Sequence, residues 1–362
     1  MSLINLFLAP GLIALIISTL TTIGVIKLYT RLGWVDDPLT NKHVKVTHKY
    51  PTPRGGGIPI YLALLVAGCL FLGLDKHFLG ILTGATILAI VGVLDDIHDL
   101  SPYVRLITGA LASLAVVAAG IGIAYITNPF VPGTVLHLNQ PQLIFNFLGG
   151  THTIWVIADI FALIWILWTQ NIVNWSKGVD GQMPGFIAIA AIFIGILSLR
   201  FVGDTSEWQV ARLAAITAGA YLGFLPFNFY PQRIMPGYGG GSLGGFLLAV
   251  LAILSGAKVA ALILILGIPM LDAAYTVLRR LLRGKSPVWG DRGHLHHRLL
   301  DLGWTKPQIA LLYWSITAIF GILALYFNSR QKLYTIIATA LIFGGVLLWL
   351  KFLQINFNHK RS

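Results

Sequence analysis

Charged residues are scarce in this chain: Asp, Glu, Lys and Arg make up only 10% of its 362 residues, against about 25% in soluble domains. This shortage, together with 56% hydrophobic residues, excludes an ordinary soluble domain and predicts an integral membrane protein. The chain has a single cysteine, Cys69, which excludes a disulfide framework within it.

No lysine or arginine precedes the first apolar run, which begins at Leu3. A secretory signal has a basic start and a cleavage site, so we interpret this run as the first membrane helix. Similar stretches recur along the chain, and we expect a single all-α, polytopic membrane domain over 1–362 with 10 or 11 transmembrane helices. The stretches are 3–28, 58–74, 78–94, 103–126, 152–170, 184–201, 211–230, 241–255, 258–280, 308–327 and 333–352.

With eleven helices, the two termini lie on opposite sides of the membrane. Cytoplasmic loops are enriched in lysine and arginine. Placing the N-terminus outside puts nineteen of the 25 basic residues on the cytoplasmic side and six on the other. The sequence therefore predicts an outside N-terminus and a cytoplasmic C-terminus. The same bias accounts for the net charge of +12, so a nucleic-acid partner has little support.

The longest predicted outer segment, 127–151, contains three prolines and no Lys, Arg, Asp or Glu. We expect it to form an ordered or membrane-skimming loop.

Asp95 and Asp96 stand together at the end of the apolar stretch 78–94. Adjacent carboxylates at a membrane edge cost free energy unless a positive group lies beside them. The candidates are a metal ion, a lysine or arginine, and a cation bound to phosphate. The alternative interpretation is the start of a hydrated loop after a helix.

Two glycine-rich runs follow polar residues, 51–57 (PTPRGGG) and 237–242 (GYGGGS). Glycines let the backbone approach a ligand, and backbone N–H groups beside Arg54 suit an anion. The second run is typical of a phosphate-binding helix entry, although it is not a P-loop. The alternatives are a turn before a helix for the first run and tight helix packing for the second.

Segment 171–181 (NIVNWSKGVDG) places Asn171 and Asn174 three residues apart, which on a helix puts them on one face. These amides and the Asp180 carboxylate suit a uracil, a ribose or a metal-bound water. The alternative is a polar helix cap.

Segment 291–298 (DRGHLHHR) carries His294, His296 and His297 between Arg292 and Arg298. Such a cluster favours a pyrophosphate, a metal or both. Its spacing does not match the helical His-Glu-x-x-His zinc pattern.

Taken in order, these segments resemble the polyprenyl-phosphate N-acetylhexosamine-1-phosphate transferase family, over about residues 30–303. The form of 294–298 (HLHHR) is similar to the GlcNAc-1-phosphate branch of that family rather than to phospho-MurNAc-pentapeptide translocase. The matching runs are 51–57 (PTPRGGG), 95–96 with 100–102 (LSP), 171–174 with 180–181, 224–231 (FLPFNFYP), Asp272 before 279–280, and 291–297.

The resemblance implies an enzyme that transfers a sugar-1-phosphate, GlcNAc-1-phosphate or a related HexNAc-1-phosphate, from a UDP-sugar to a membrane polyprenyl phosphate such as undecaprenyl phosphate. UMP is released, and the reaction is the first membrane step of cell-envelope glycan synthesis. The resemblance also implies a multi-pass protein of the cytoplasmic (inner) membrane with a cytoplasmic active site, and it leaves a homodimer open.

The resemblance further implies roles for individual residues and Mg²⁺ as the cofactor. The expected catalytic residues are Asp95, Asp96, Asp180 and Lys177, and the three aspartates are the expected metal ligands. The expected substrate-binding residues are Arg54, Asn171, Asn174, Arg292, His294, His296, His297 and Arg298.

Two departures from the family pattern remove acids. Lys177 stands where the family's Asp-Gly-x-Asp-Gly has its first Asp, and 237–242 has no carboxylate where the family has Gly-Asp-x-Gly-Ser. In one hypothesis Lys177 supplies the positive charge of the metal, so that transfer depends weakly or not at all on Mg²⁺. In another, the chain is a catalytically impaired homologue that binds polyprenyl phosphate or a UDP-sugar. A transporter is a further alternative, but ionisable residues gather at one end of the predicted helices rather than along the span.

Overall fold

The computed structural model describes residues 4–40, 48–131, 133–147, 150–201, 205–256, 259–286 and 293–359. Helices dominate this part of the chain, and the first is preceded by a π-helical turn, Ile4–Leu8. The helices are α1 Ala9–Leu32, α2 Gly57–Phe71, α3 Lys76–His98, α4 Pro102–Ala118, α5 Val156–Trp175, α6 Gln182–Ser198, α7 Thr205–Asn228, α8 Gly237–Leu254, α9 Val259–Ile265, α10 Gly267–Leu282, α11 Leu295–Asp301, α12 Lys306–Tyr326 and α13 Ser329–His359.

Short strands form antiparallel pairs between some of these helices. The pairs are β1 Val35–Asp36 with β2 Thr52–Pro53, β3 Tyr125–Thr127 with β4 Val135–His137, and β5 Gln142–Phe147 with β6 Gly150–Trp155.

The prediction of an all-α, polytopic membrane protein is confirmed. Each of the eleven predicted stretches coincides with a helix or with the pair α9–α10. Seven helices of the described chain are long and apolar enough to cross a membrane, and the bent pair makes an eighth candidate. Three further apolar helices, α2, α4 and α6, are shorter, so a count of 10 or 11 crossings is reached only by including them.

Two predicted stretches differ from the structure in shape. Stretch 258–280 is bent by 86° between α9 and α10. Pro269 lies in the first turn of α10, where its missing N–H is tolerated, whereas it could not continue α9. Segment 127–151, which was predicted to lie outside, contributes to two hairpins, β3–β4 and β5–β6, whose paired strands satisfy backbone hydrogen-bonding groups.

Helix α8 forms the centre of the bundle, because every residue from its first to its penultimate one is buried. It packs against α5, α3 and α2. At the start of α8, glycines of three helices pack directly against one another. A Cβ on Gly57 would lie 2.9 Å from the Gly239 Cα, and a Cβ on Gly92 would lie 2.6 Å from it. This close approach brings the start of α2, the last turns of α3 and the start of α8 to one place.

Candidate active site

Asp95 lies in the last turn of α3 with only 1% of its surface exposed. Ser101 caps the next helix, α4, so the chain reverses and Arg105 returns to the end of α3. The Arg105 Nε lies 2.5 Å from the Asp95 Oδ1, and its second guanidinium nitrogen donates to the Asp99 Oδ1 at 2.8 Å. The positive group expected beside Asp95 is therefore an arginine. The Leu100 N–H also donates to the Asp95 Oδ1.

Asp96 has a different environment from its neighbour. The Tyr29 hydroxyl donates to the Asp96 Oδ2 at 3.4 Å. The Asp96 Oδ1 is buried and has no hydrogen-bond partner within the described part of the chain. A Cβ on Gly237 would lie 2.6 Å from this oxygen. An unpartnered carboxylate oxygen therefore faces the first residue of α8.

Lys177 reaches the same residue from the loop after α5. Its Nζ donates to the Gly237 carbonyl oxygen at 2.6 Å, so the amine lies inside the site although the residue as a whole is only partly buried. The contact joins segment 171–181 to the glycine-rich run that begins α8.

The charges around Lys177 are mixed. The pKa of its amine is lowered to about 7, chiefly by burial and also by the guanidinium groups of Arg54 and Arg105, while the carboxylates of Asp95 and Asp96 oppose the shift. Since a buried ammonium is costly without anions beside it, an anionic ligand would stabilise the protonated form of Lys177.

The two asparagines of segment 171–181 have unequal roles. The Asn171 amide donates to the Leu167 carbonyl of its own helix. The Asn174 Oδ1 is buried without a hydrogen-bond partner in the described residues, and a Cβ on Gly241 would lie 2.5 Å from it. Asn174 is thus the asparagine that contacts the start of α8.

Asp180 lies at a junction between segments. Its Oδ1 accepts from the Lys306 Nζ at 2.8 Å, and its Oδ2 accepts from the Gln232 N–H at 3.2 Å. The next residue, Gly181, donates its N–H to the Asn228 side chain. Both carboxylate oxygens are therefore engaged in holding α12 and the loop after α7 against segment 171–181.

The predicted histidine cluster is buried, and its first member contacts Asp272 of α10. The His294 Nδ1 lies 2.7 Å from the Asp272 Oδ2, and the Leu295 N–H donates to the Asp272 Oδ1 at 2.8 Å. The His294 and His296 rings are stacked with centroids 5.5 Å apart, and His297 follows at 4.4 Å from His296. Asp272 thus fixes the start of α11 and the orientation of His294.

The histidine cluster contacts segment 171–181 through Gly178, where an added Cβ would overlap the His296 imidazole. Arg298 donates to the Tyr275 hydroxyl and to the Gly293 carbonyl, each at 3.3 Å. Arg292 lies outside the described residues.

Arg54 borders the site from the turn before α2, with its guanidinium 3.9 Å from the Asp99 carboxylate. The glycines after it contact protein rather than an open space. The Gly56 N–H donates to the Met235 carbonyl at 3.0 Å, and a Cβ on Gly55 would lie 2.6 Å from the Tyr29 ring. Tight packing, which was the alternative interpretation for the second run, thus describes both glycine-rich runs.

Comparison with known proteins identifies the family of this chain. Residues 78–256 match the profile of glycosyl transferase family 4. The chain belongs to glycosyl transferase family 4. The suspected family is thereby confirmed.

Curated relatives of this family 4 chain align over most of its length. It is 28% identical to a probable undecaprenyl-phosphate N-acetylglucosaminyl 1-phosphate transferase of Bacillus subtilis, over 88% of this chain and 85% of the relative. It is 26% identical to a decaprenyl-phosphate N-acetylglucosaminephosphotransferase of Mycobacterium tuberculosis, over 92% and 86%. It is also 27% identical to a phospho-N-acetylmuramoyl-pentapeptide-transferase of Acetivibrio thermocellus, over 86% and 91%.

The three expected Mg²⁺ ligands of this family 4 chain do not all lie together within the described residues. Within the described residues, no three His, Cys, Asp or Glu side chains lie close enough together to hold a metal ion. Asp95 is paired with Arg105 and Asp180 with Lys306. Asp95, Asp96 and Asp180 as metal ligands therefore stay a prediction, and two of the three pair with cations of the chain. The donor set does not fit a divalent cation.

Several contacting residues were not predicted from the sequence. Arg105 and Lys306 were counted only as charges, and Tyr238 only as part of a run without acids. The Tyr238 hydroxyl donates to the Arg105 carbonyl at 2.8 Å, and the Arg105 guanidinium lies over the Tyr238 ring. The sequence did contain a sign of the Arg105 contact. Ser101 and Pro102 predict a new helix directly after Asp99, and Arg105 lies in the first turn of that helix.

Proposed function

We propose that this family 4 chain transfers a sugar-1-phosphate from a UDP-sugar to a membrane polyprenyl phosphate. An oxygen of the lipid phosphate attacks the β-phosphorus of the UDP-sugar. A new bond forms between that oxygen and the β-phosphorus, the bond from the β-phosphorus to the bridging oxygen breaks, and UMP leaves with the bridging oxygen. The names of the relatives, which carry undecaprenyl or decaprenyl phosphate and N-acetylglucosamine, support GlcNAc-1-phosphate as the group transferred.

The observation that carries this proposal is the meeting of distant segments at the start of α8. Lys177 donates to Gly237, Asp96 directs an unpartnered oxygen at the same residue, and Gly178 contacts the histidine cluster. These residues come from separate helices and serve no common role in the hydrophobic core. Phosphoryl transfer needs positioning and charge stabilisation rather than a protein nucleophile, and such a site offers both.

Arg54 and Lys177 are the cations that would neutralise substrate phosphates, because Arg105 already pairs with Asp95 and Asp99. The Asp96 Oδ1 would accept the proton of a lipid phosphate monoanion and so hold the attacking group in place. The histidine cluster, which contacts Gly178, would bind the diphosphate together with Arg298. Asn174 would contact the nucleotide.

We infer that this site faces the cytoplasm, because the segments on its side of the membrane contain an excess of lysine and arginine. Such an orientation in the inner membrane would give the site access to soluble UDP-sugars. Cysteine-accessibility labelling in intact cells tests it: a cysteine placed at exposed Lys49 should be protected from an impermeant reagent, and one placed at exposed Phe130 should react.

The decisive experiment uses the purified full chain in detergent with polyprenyl phosphate and radiolabelled UDP-GlcNAc. We expect label in the lipid phase and release of an equal amount of UMP. Failure to form a lipid-linked product from UDP-GlcNAc and from other UDP-sugars would overturn the proposal and favour a homologue that binds without transfer.

Asp96→Asn provides a matched test of the site, because it keeps the shape of the side chain and removes its negative charge. We expect transfer to fall about 100-fold, the effect of removing one key electrostatic contact. Asp75→Asn is the control on the same helix. Asp75 caps the opposite end of α3, and Asn caps as well as Asp, so transfer should stay within about 2-fold.

A further inference from the structure

Three oxygen atoms converge at the first residue of α8. The Gly237 carbonyl accepts from Lys177 at 2.6 Å. A Cβ on Gly237 would lie 2.6 Å from the Asp96 Oδ1 and would overlap the Arg54 carbonyl oxygen. Oxygen clusters of this kind attract a cation. Here the Lys177 ammonium is the cation that the chain itself supplies.

The balance of charge around this point leaves little place for a second cation. Asp95 is paired with Arg105, and Asp180 with Lys306. Asp96 is the remaining carboxylate among those expected to hold metal, and both Lys177 and Arg54 lie close enough to act on its charge. A divalent ion placed here would be attracted by one carboxylate and repelled by two cations.

We propose that the Lys177 ammonium takes the place of a divalent metal ion at this site, so that sugar-phosphate transfer proceeds without bound Mg²⁺. The inference rests on the proposed function. A lysine ammonium is a compact point charge with three donors. One donor is used by the Gly237 carbonyl, which leaves two for the phosphate oxygens of a bound substrate.

The role of Lys177 in the reaction is electrostatic. As the bond from the β-phosphorus to the bridging oxygen breaks, negative charge grows on the departing UMP, and a fixed positive charge beside it stabilises the transition state. Lys177 keeps its proton throughout, and the bonds formed and broken are those given above. The Gly237 carbonyl holds the ammonium in this position, and the charges of Asp95 and Asp96 favour its protonated form.

The test compares the wild-type chain with Lys177→Met and with Lys27→Met. Methionine matches the length of lysine without its charge, and Lys27 is an exposed residue of α1. Each purified protein is assayed for lipid-linked product in EDTA and in Mg²⁺. Binding of Mn²⁺ is measured separately by electron paramagnetic resonance, which requires no turnover. Monodispersity in detergent confirms that each variant is folded.

We expect the wild type and Lys27→Met to transfer at rates in EDTA within about 2-fold of those in Mg²⁺, and to bind no stoichiometric Mn²⁺. The transfer rate of Lys177→Met should be about 100-fold lower than that of the wild type under both conditions. Wild-type transfer that is abolished by EDTA and restored by Mg²⁺ would overturn the inference, as would undiminished transfer by Lys177→Met.

Absence of transfer under every condition would instead overturn the proposed function, and Mn²⁺ binding would still decide the occupancy of the site. Stoichiometric Mn²⁺ binding by the wild type that is lost in Asp96→Asn would show that a metal holds this place and would contradict the inference.

Discussion

The Lys306 Nζ lies 2.8 Å from the Asp180 Oδ1, and Asp180 has only 2% of its side chain exposed. This ion pair joins the first turn of α12 to the loop that carries Lys177. The C-terminal part of the bundle thereby helps to position the candidate site, although α12 itself lies in none of the segments that resemble the family pattern.

Breaking the Asp180–Lys306 pair should destabilise the protein. We expect Lys306→Met to lower the free energy of unfolding by about 3 kcal/mol, because it leaves a buried carboxylate without a counter-charge. Thermal unfolding in detergent measures the effect. The double variant Asp180→Asn with Lys306→Met should recover part of the loss, and Lys49→Met at an exposed lysine should show none. Equal unfolding temperatures for Lys306→Met and the wild type would contradict the prediction.

Gly178 should not tolerate a side chain. Gly178→Ala places a methyl group into the His296 ring, so either the ring or the loop must move, and a displacement of about 1 Å at a site can cost about 100-fold in rate. We expect a large loss of transfer with little change in unfolding temperature. Gly24→Ala is the control, since a Cβ there meets no atom within 4 Å. A fully active Gly178→Ala would show that the His296 contact is not needed.

Arg105→Lys tests the simultaneous contact of the Arg105 guanidinium with Asp95 and Asp99. The guanidinium contacts both carboxylates through two different nitrogens, and a lysine ammonium cannot reproduce this geometry. We expect transfer to fall about 10-fold while the protein stays folded, and Arg105→Met to be worse because it leaves Asp95 buried and unpaired. Equal activity of wild type and Arg105→Lys would show that charge alone suffices.

The pH dependence of transfer should reflect Lys177. Its pKa is lowered to about 7 by burial and by Arg54 and Arg105, against the opposing effect of Asp95 and Asp96. The ammonium is therefore present in the free enzyme below about pH 7 and is lost as the pH rises. We expect kcat/KM for the UDP-sugar to fall as the pH rises through about 7.

The decline in kcat should lie at higher pH, because bound phosphates stabilise the ammonium. Residual transfer by Lys177→Met should lack this decline, whereas Lys27→Met should retain it. A wild-type kcat/KM that stays constant from pH 6 to pH 9 would contradict the assignment.

Much of the architecture could be predicted from the sequence, because long stretches of apolar residues indicate membrane helices. All eleven stretches became helices or a bent helix pair. The bend between α9 and α10 and the hairpins of segment 127–151 were not predicted. A proline near a glycine inside an apolar stretch is compatible with both a kinked helix and a broken one. The sequence of an uncharged strand resembles that of a loop at the membrane interface.

The sequence named candidate members of the site, whereas their pairings are visible only in the structure. Asp96, Lys177 and the histidines lie where distant segments meet. Asp180, by contrast, was expected to hold metal and instead pairs with Lys306. A carboxylate looks the same in sequence whether its partner is an ion or a lysine 126 residues away.

The sequence by itself determined a polytopic membrane protein and the polar segments of its candidate site, because hydrophobicity and local motifs are properties of neighbouring residues. The tertiary structure alone decided which carboxylates are neutralised and by which cation. That outcome depends on the close packing of Gly92 against Gly239, which brings Asp96 to the start of α8, and of Gly241 against Asn174, which brings the segment of Lys177 there. Charges interact according to distance in space rather than separation along the chain.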